Sequence, residues 1–436
     1  MRACTGRQHL LDAPAQEAWV VVGRRGGKSR VAALAAVFLA CFRDYAAVLA
    51  PGERGTIMLI AADRKQARVL MRYVTGLLES VPMLARLVAS RTGESIALRT
   101  RIDVEIHTAS FRAVRGYTVV AAIADEVAFW KSEDSANPDV EILNGLRPGL
   151  ATVPGSLLLA ISSPYARRGA LWEAHRQHFG KDGDPILVWQ ADTRTMNPRV
   201  DEQIIAEAYA ADEATAKSEW GGLFRADLED YVSPEVVGRL VIRDRCELPP
   251  TWQPRYVAFC DPAGGSGGDS MTVAIAHAAG AKVVLDVVTE ARPPFSPEAV
   301  VERFAAMLKG YQVRTVVGDR FGGDWPAERF RTHGISYAPA DKPKSAIYGE
   351  LLPLLNSHVV ELLDDRRLVA QLLALERRTA WGGRDSVDHP PGGNDDVINA
   401  AAGALVLAWC TRRGRGLPIQ AGGTGGITIT MHPELA

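Results

Sequence analysis

Cysteine is scarce in this sequence. Five residues, Cys4, Cys41, Cys246, Cys260 and Cys410, are spread through 436 positions. Their number is odd and none forms a Cys-x-x-Cys pair. A disulfide framework and a cysteine-built structural zinc site are therefore both excluded, and a reducing, cytoplasmic compartment is expected. Long apolar runs are lacking as well. The longest, Val31–Ala40 and Ala400–Trp409, fall well short of the roughly 20 residues a spanning helix needs, so no membrane association is expected. The first residues do not show the charged-then-apolar pattern of a secretory signal. An excess of charge is missing too: 50 basic against 51 acidic residues give a net charge of −1. Any contact with nucleic-acid phosphates must then come from a local basic groove rather than from the charge of the whole chain. No internal repeat is visible.

Hydrophobic residues make up 47% of the chain and charged residues 23%, the composition of a globular protein with room for a sizeable core. At about 100–200 residues per domain, the length suggests two domains. In the first half, short apolar runs alternate with helical stretches. Ala18–Val22, Thr56–Ala61, Thr118–Ala124 and Ser156–Ile161 have the character of buried strands, and Ser29–Ala40 and Lys65–Leu78 that of helices. This alternation implies a parallel α/β sheet. Residues 226–255 are charged and contain proline, which marks a linker. A second α/β series follows, with strands at Arg255–Cys260, Met271–Ala276, Lys282–Val288 and Thr315–Gly318 and a long apolar helix at Val397–Trp409. The expected organisation is a first domain over 1–225, a linker over 226–255, a second domain over 256–410 and a flexible tail over 411–436.

The segment Gly23-Arg24-Arg25-Gly26-Gly27-Lys28-Ser29 follows a strand and opens a helix, the context of a phosphate-binding loop. Backbone N–H groups of Gly23, Arg25, Gly26 and Gly27 would face nucleotide phosphates, Lys28 would reach the outer phosphates, and Ser29 would hold Mg²⁺. The glycine usual at the start of such a loop is Val22 here. A second apolar strand ends in Asp125-Glu126. There Asp125 fits the Mg²⁺ shell and Glu126 the residue that polarises the attacking water. A third strand ends in Ser162-Ser163-Pro164. Ser163 would sense the γ-phosphate, although the segment taken alone reads better as a simple strand-to-turn transition. Arg24 is the candidate for stabilising transition-state charge, with Arg25, Arg112 and Arg115 as further choices; whether such an arginine acts in cis or in trans stays open.

In the second half, Asp261 and Asp319 each end a strand, and Asp395 and Asp396 open a helix. Hard divalent ions take oxygen ligands, and a pair of them can clamp an in-line phosphodiester displacement. Each acid has a local alternative, a helix cap for Asp395 or Asp396 and a turn for Asp261. Three separate elements each delivering an acid at its end favour a metal-dependent nuclease of the ribonuclease-H-like kind, with either Asp395 or Asp396 as the third ligand. Asp269, Asp286 and Asp324 have weaker claims, and His389 reads as a loop residue.

Taken together, these motifs resemble the phage large terminase subunits. The resemblance rests on Gly23–Ser29, on Val114-Arg115-Gly116-Tyr117 with Ile123–Ala128, on Ile161–Tyr165, on Ser218–Phe224, and on Cys260–Gly264, Val317–Asp319 and His389–Asp396. It implies an N-terminal P-loop ATPase domain of the ASCE type followed by a ribonuclease-H-like nuclease domain. It further implies ATP and Mg²⁺ as cofactors, with Mn²⁺ able to serve the nuclease, and Gln8 or Gln16 as an adenine contact. The implied partners are double-stranded DNA, a portal protein and a small terminase subunit. The implied assembly is a homo-oligomeric ring, expected to be a pentamer, on an empty capsid in the host bacterial cytoplasm, with a monomer in isolation. A gene transfer agent terminase and a P-loop translocase with a fused nuclease acting in repair share both sites. A non-enzymatic nucleotide-binding scaffold would have neither activity.

Overall fold

The computed structural model describes residues 1–9, 13–110, 116–130, 138–320, 325–379 and 385–412. Two compact units emerge: Met1–Glu229 together with Arg378 and Thr379, and the remaining described residues from Asp230 onward. Among the described residues no helix is long and apolar enough to cross a membrane.

The first unit is a mixed α/β sheet of eight strands: β1 Glu17–Val22, β2 Gly55–Ala61, β3 Val88–Arg91, β4 Ser95–Leu98, β5 Ile102–Thr108, β6 Val119–Asp125, β7 Leu157–Ser162 and β8 Ile186–Ala191. Their order is β3-β4-β5-β2-β6-β7-β1-β8. From β5 to β8 all neighbours are parallel, whereas β4 runs antiparallel to β3 and β5. Every residue of β2 and β6 is buried, as expected of strands covered on both faces. One strand, β7, separates β1 from β6. Their register is level: Val20 lies beside Ile161, and Ile161 beside Asp125. The carboxyl ends of β1, β7 and β6 therefore meet along one edge, where ligands bind in open parallel sheets.

Residues 226–255, expected to be a linker, carry a strand, β9 Leu228–Asp230, and a helix, Pro234–Leu240. Tyr231, Val232, Val237 and Leu240 are buried in the core of the second unit. The charged residues of this segment masked its short apolar repeat.

The second unit is built on β10 Tyr256–Asp261, β11 Met271–Ala279, β12 Lys282–Ala291, β13 Thr315–Gly318, β14 Ser336–Pro339 and β15 Val360–Glu361, in the order β14-β13-β10-β11-β12-β15. Strands β10, β11 and β12 form an antiparallel meander, and β13 and β14 add parallel to β10. This is the strand order of a ribonuclease-H-like sheet. Two short strands, β16 Glu376–Thr379 and β17 Asp385–Asp388, precede the last helix, Asp396–Arg412.

That helix lies on β10, β11 and β12 and is buried from Asp396 to Ala408. A glycine permits the close approach: a Cβ at Gly403 would stand 2.2 Å from Phe259 Cγ on β10. Gly403→Ala is expected to destabilise the protein by about 1–3 kcal/mol through overpacking. The better intrinsic helix propensity of alanine works in the other direction by roughly 1 kcal/mol. Urea unfolding measures the balance, and a stabilised variant would contradict the packing. Of the expected tail, Thr411 and Arg412 complete this helix, and 413–436 lie outside the described residues.

Candidate functional site

Among the described residues, each unit carries a cluster of chemical groups. In the first, β1 runs into the loop 23–27 and the helix Lys28–Phe42. Gly27 caps that helix at φ 82°, a left-handed conformation that costs glycine little. Gly23 is hemmed in from the side: a Cβ there would lie 2.4 Å from Thr193 Oγ1 and 2.6 Å from the Trp220 carbonyl oxygen. Three contacts hold the loop's shape. Thr193 Oγ1 donates to the Arg24 carbonyl at 2.8 Å, Asn197 Nδ2 donates to the Arg25 carbonyl at 2.8 Å, and the Arg24 amide donates to the Glu219 carbonyl at 2.5 Å. Thr193 and Asn197, at the two ends of a short helix, and Glu219, at the end of another, lie far along the chain from this loop, and no local pattern joins them to it.

Lys28 is buried, and its Nζ lies 2.9 Å from Glu126 Oε1 and donates to Ser163 Oγ at 2.8 Å. The Ser163 amide closes the ring by donating to Glu126 Oε2 at 3.0 Å. Ser162 Oγ lies 3.2 Å from the same oxygen. Glu126 sits at φ 51°, an uncommon backbone conformation for a residue with a side chain, just beyond β6. Asp125 is buried, and its Oδ1 has no hydrogen-bond partner. Burial and the neighbouring Glu126 push its pKa up to about 7, against the pull of Lys28. A buried carboxylate with an orphaned oxygen suits a bound cation or its water shell. The amides that open the helix suit phosphate oxygens. Ser29 follows Lys28 at the helix start, half-buried. The phosphates of a nucleotide, with a divalent cation, therefore fit these groups.

Arg24 takes a different course. Its guanidinium is 3.0 Å from Glu219 Oε1 and is largely exposed. Arg25, at φ 61°, is exposed as well. Arg112 and Arg115 lie outside the described residues. Gln8 lines a cavity of about 570 Å³ with Arg2, Arg7 and His9, and its amide donates to Asp182 Oδ1. Gln16 is exposed at the entry to β1.

In the second unit, Asp261 ends β10, Asp319 directly follows β13, and Asn399 on the last helix joins them. Asn399 Nδ2 donates to Asp261 Oδ2 at 2.9 Å and to Asp319 Oδ2 at 2.7 Å. Asn399 is buried and its Oδ1 has no partner. Burial raises the Asp261 pKa well above the carboxylate range, helped by the charges of Asp319, Asp396 and Asp395. Burial raises Asp319 too, with a contribution from Asp395. Asp396 accepts the Ser270 amide at 2.9 Å; burial, then Asp269 and Asp395, push it up to about 6. Asp395 Oδ2 accepts from Tyr348 Oη at 2.8 Å and lies 2.9 Å from Lys344 Nζ. Burial works against the Lys344 charge, but Asp395 and Asp388 more than offset it and hold the lysine pKa above its usual value.

Crowded, buried carboxylates with an unmatched amide oxygen among them make a hard-oxygen set of the kind Mg²⁺ or Mn²⁺ binds. Asn399 could have been suspected from the sequence, since it lies one turn beyond Asp395 and Asp396 on the same helical face. Asp286 is elsewhere, buried against His277 Nδ1 at 2.7 Å. His389 Nε2 lies 3.9 Å from Asp395 Oδ1, and Asp324 falls outside the described residues.

No protein-family model matches the sequence, and neither does any curated protein. Solved structures do. The chain is similar over 90% of its length to the large terminase of bacteriophage HK97, at 15% identity, over 91% of that chain and with a TM-score of 0.40. The large terminase of a thermophilic bacteriophage in complex with ADP matches 90% of this chain and 93% of its own at 12% identity and a TM-score of 0.41. The large terminase nuclease of thermophilic phage G20c with bound magnesium matches 39% of this chain and 94% of its own at 18% identity and a TM-score of 0.34. These likenesses are distant. What the two clusters can do follows from their own geometry.

A pH dependence follows from the raised carboxylates. An acid whose folded pKa lies above its unfolded value binds more protons in the folded state. Its contribution to stability then falls as pH rises from the unfolded value, near 4, through the folded one. For Asp396 and Asp125 that window runs up to about 6 and about 7. An ion held by these acids would bind their deprotonated forms and so offset the loss. The rise in melting temperature on replacing EDTA with Mg²⁺ is expected to grow between pH 5 and pH 7.5. A rise that is equal at both pH values would show that these acids do not meet the ion.

Proposed function

We propose that this chain is the large subunit of a viral DNA-packaging motor, an ATPase that moves double-stranded DNA and a metal-dependent endonuclease that cuts it. The observation that carries the reading is the closed contact of Lys28, Glu126 and Ser163 across three level strand ends, in one chain with the half-buried Asp261 and Asp319 and the buried Asp395 and Asp396. A Lys-Glu-Ser ring at a phosphate loop is the equipment of nucleotide hydrolysis, and a buried acid cluster on a ribonuclease-H-like sheet is that of phosphodiester cleavage.

In the first unit, Lys28 leaves Glu126 to meet the outer phosphates of ATP, which frees the Glu126 carboxylate to orient and deprotonate the attacking water. Asp125 and Ser29 would hold the Mg²⁺ shell, and the ion would supply positive charge for the phosphates. Ser163 bonds both Lys28 and Glu126, so its strand senses whether the lysine is occupied by phosphate, a route from hydrolysis to movement. Arg24, released from Glu219, supplies transition-state charge. In the second unit, Asp261 and Asp319, with Asp395 or Asp396 as the third acid, would hold Mg²⁺ or Mn²⁺, and such an ion would supply an activated water and charge for the departing oxygen. Asn399 keeps Asp261 and Asp319 aligned. A homo-oligomeric ring on a portal protein in the host bacterial cytoplasm, fed with DNA by a small subunit, is the setting that the motif resemblance supports.

The test uses the full chain with linear and supercoiled DNA. ATP turnover stimulated by double-stranded DNA, together with plasmid cutting that EDTA abolishes, is the expected result. A chain that binds ATP but neither turns it over nor cuts would be a scaffold, and the proposal would fall.

A further inference from the structure

The two acids that open the last helix stand in opposite surroundings. Lys344 and Tyr348 are one turn apart on the helix Lys344–Asn356, so both reach the same carboxylate from one face. Tyr348 Oη donates to Asp395 Oδ2 at 2.8 Å, and Lys344 Nζ lies 2.9 Å from that oxygen. The same Nζ is 2.9 Å from Asp388 Oδ1. By spacing alone, Asp388, His389 and Asp395 could hold an ion, their ligand atoms lying within 4.8 Å of one another. An ammonium already bridges the two carboxylates of that group. Asp396, by contrast, accepts the Ser270 amide, and the charges bearing on it are those of the acids Asp269, Asp395 and Glu290. Glu290 is itself paired with Arg367 and Arg292.

A divalent cation is taken up by carboxylates whose charge has no other partner, and an ammonium on a carboxylate competes with it. We propose that Asp396 rather than Asp395 completes the metal-binding set with Asp261 and Asp319, and that Asp395, Asp388 and Tyr348 hold Lys344 as a fixed cation for a backbone phosphate of the DNA being cut. The inference rests on the nuclease reading of the second unit. An ammonium has three N–H donors; two meet Asp388 and Asp395, the charge also bears on Asp319, and the third donor is left for a phosphate oxygen brought to that acid. The Lys344 side chain is 29% exposed, so a strand entering the cluster from solvent can reach it. Asp395 is thereby a positioning residue.

The experiment measures Mn²⁺ binding by calorimetry and plasmid cutting at saturating Mn²⁺, on the full chain and on Asp395→Asn, Asp396→Asn, Lys344→Met and Lys344→Arg. Asp396→Asn is expected to weaken Mn²⁺ binding by more than the roughly 10–100-fold typical of losing a residue that only supports a ligand. Asp395→Asn and Lys344→Met should bind Mn²⁺ as well as the wild type or better. Cutting by Lys344→Met should fall on the order of 10²-fold, the usual cost of one preorganised charge-stabilising group, with partial recovery in Lys344→Arg. Equal loss of Mn²⁺ binding in Asp395→Asn and Asp396→Asn would overturn the assignment. So would wild-type cutting by Lys344→Met. A wild-type chain that neither binds Mn²⁺ nor cuts removes the nuclease reading itself, and the inference with it.

Discussion

Glu126→Gln is expected to lower ATP turnover by about 10²–10⁴-fold, the usual contribution of a general base, while ATP binding persists. Glutamine keeps the shape of the side chain and can still accept the Ser163 amide, which now donates to Glu126 at 3.0 Å. It cannot take a proton from water, and it offers Lys28 no charge. Lys28 is buried, with its Nζ on Glu126 and Ser163, so the variant leaves an ammonium short of a counter-charge. A lower melting temperature without nucleotide, recovered on adding ATP, should accompany the kinetic loss. Turnover at the wild-type rate would move the base elsewhere, and loss of ATP binding along with turnover would mean that Glu126 shapes the pocket rather than the chemistry. DNA-stimulated phosphate release and a fluorescent-nucleotide titration separate these results.

Asp261→Asn is expected to abolish plasmid cutting and to leave the ATPase intact. Loss of a residue that merely supports a metal ligand costs roughly 10–100-fold, and loss of a ligand itself costs more. The accompanying stability change has the opposite sign to that of most active-site lesions. Asp261 is pushed well above the carboxylate range by burial and by Asp319, Asp396 and Asp395, so ionising it at neutral pH works against folding. Removing its charge should raise the melting temperature in EDTA and shrink the rise produced by Mg²⁺. An inactive variant that melts lower in EDTA would show that Asp261 is structural. An active variant would place the metal on other residues.

Local chemistry placed several of these groups. Strands such as Thr56–Ala61 and Thr118–Ala124 were legible because a strand buried on both faces must be apolar throughout. A glycine run that ends a strand and begins a helix has few uses, which made the surroundings of Lys28 legible too. The antiparallel pair β3-β4 was not, since each strand is four residues long and β3 is mostly exposed, which leaves too short an apolar pattern to stand out from a loop. The segment 226–255 was obscured by its charges, and only the placement of Tyr231, Val232, Val237 and Leu240 shows that it belongs to a core.

The sequence by itself determined which groups exist and at which ends of which elements they stand: Lys28 at a helix start, Asp125, Asp261 and Asp319 at or just beyond strand ends, Asp395 and Asp396 before an apolar helix. Pairing was decided by the tertiary structure alone. Ser163 meets Lys28 across 135 positions of chain and Asn399 meets Asp261 across 138, separations over which no periodic pattern survives. Asp395 and Asp396 are adjacent and chemically identical. They differ because one faces the helix that carries Lys344 and Tyr348 and the other faces the Ser270 loop. That difference is set by the rotation of a helix packed at Gly403 against Phe259, which no local property of the two residues encodes.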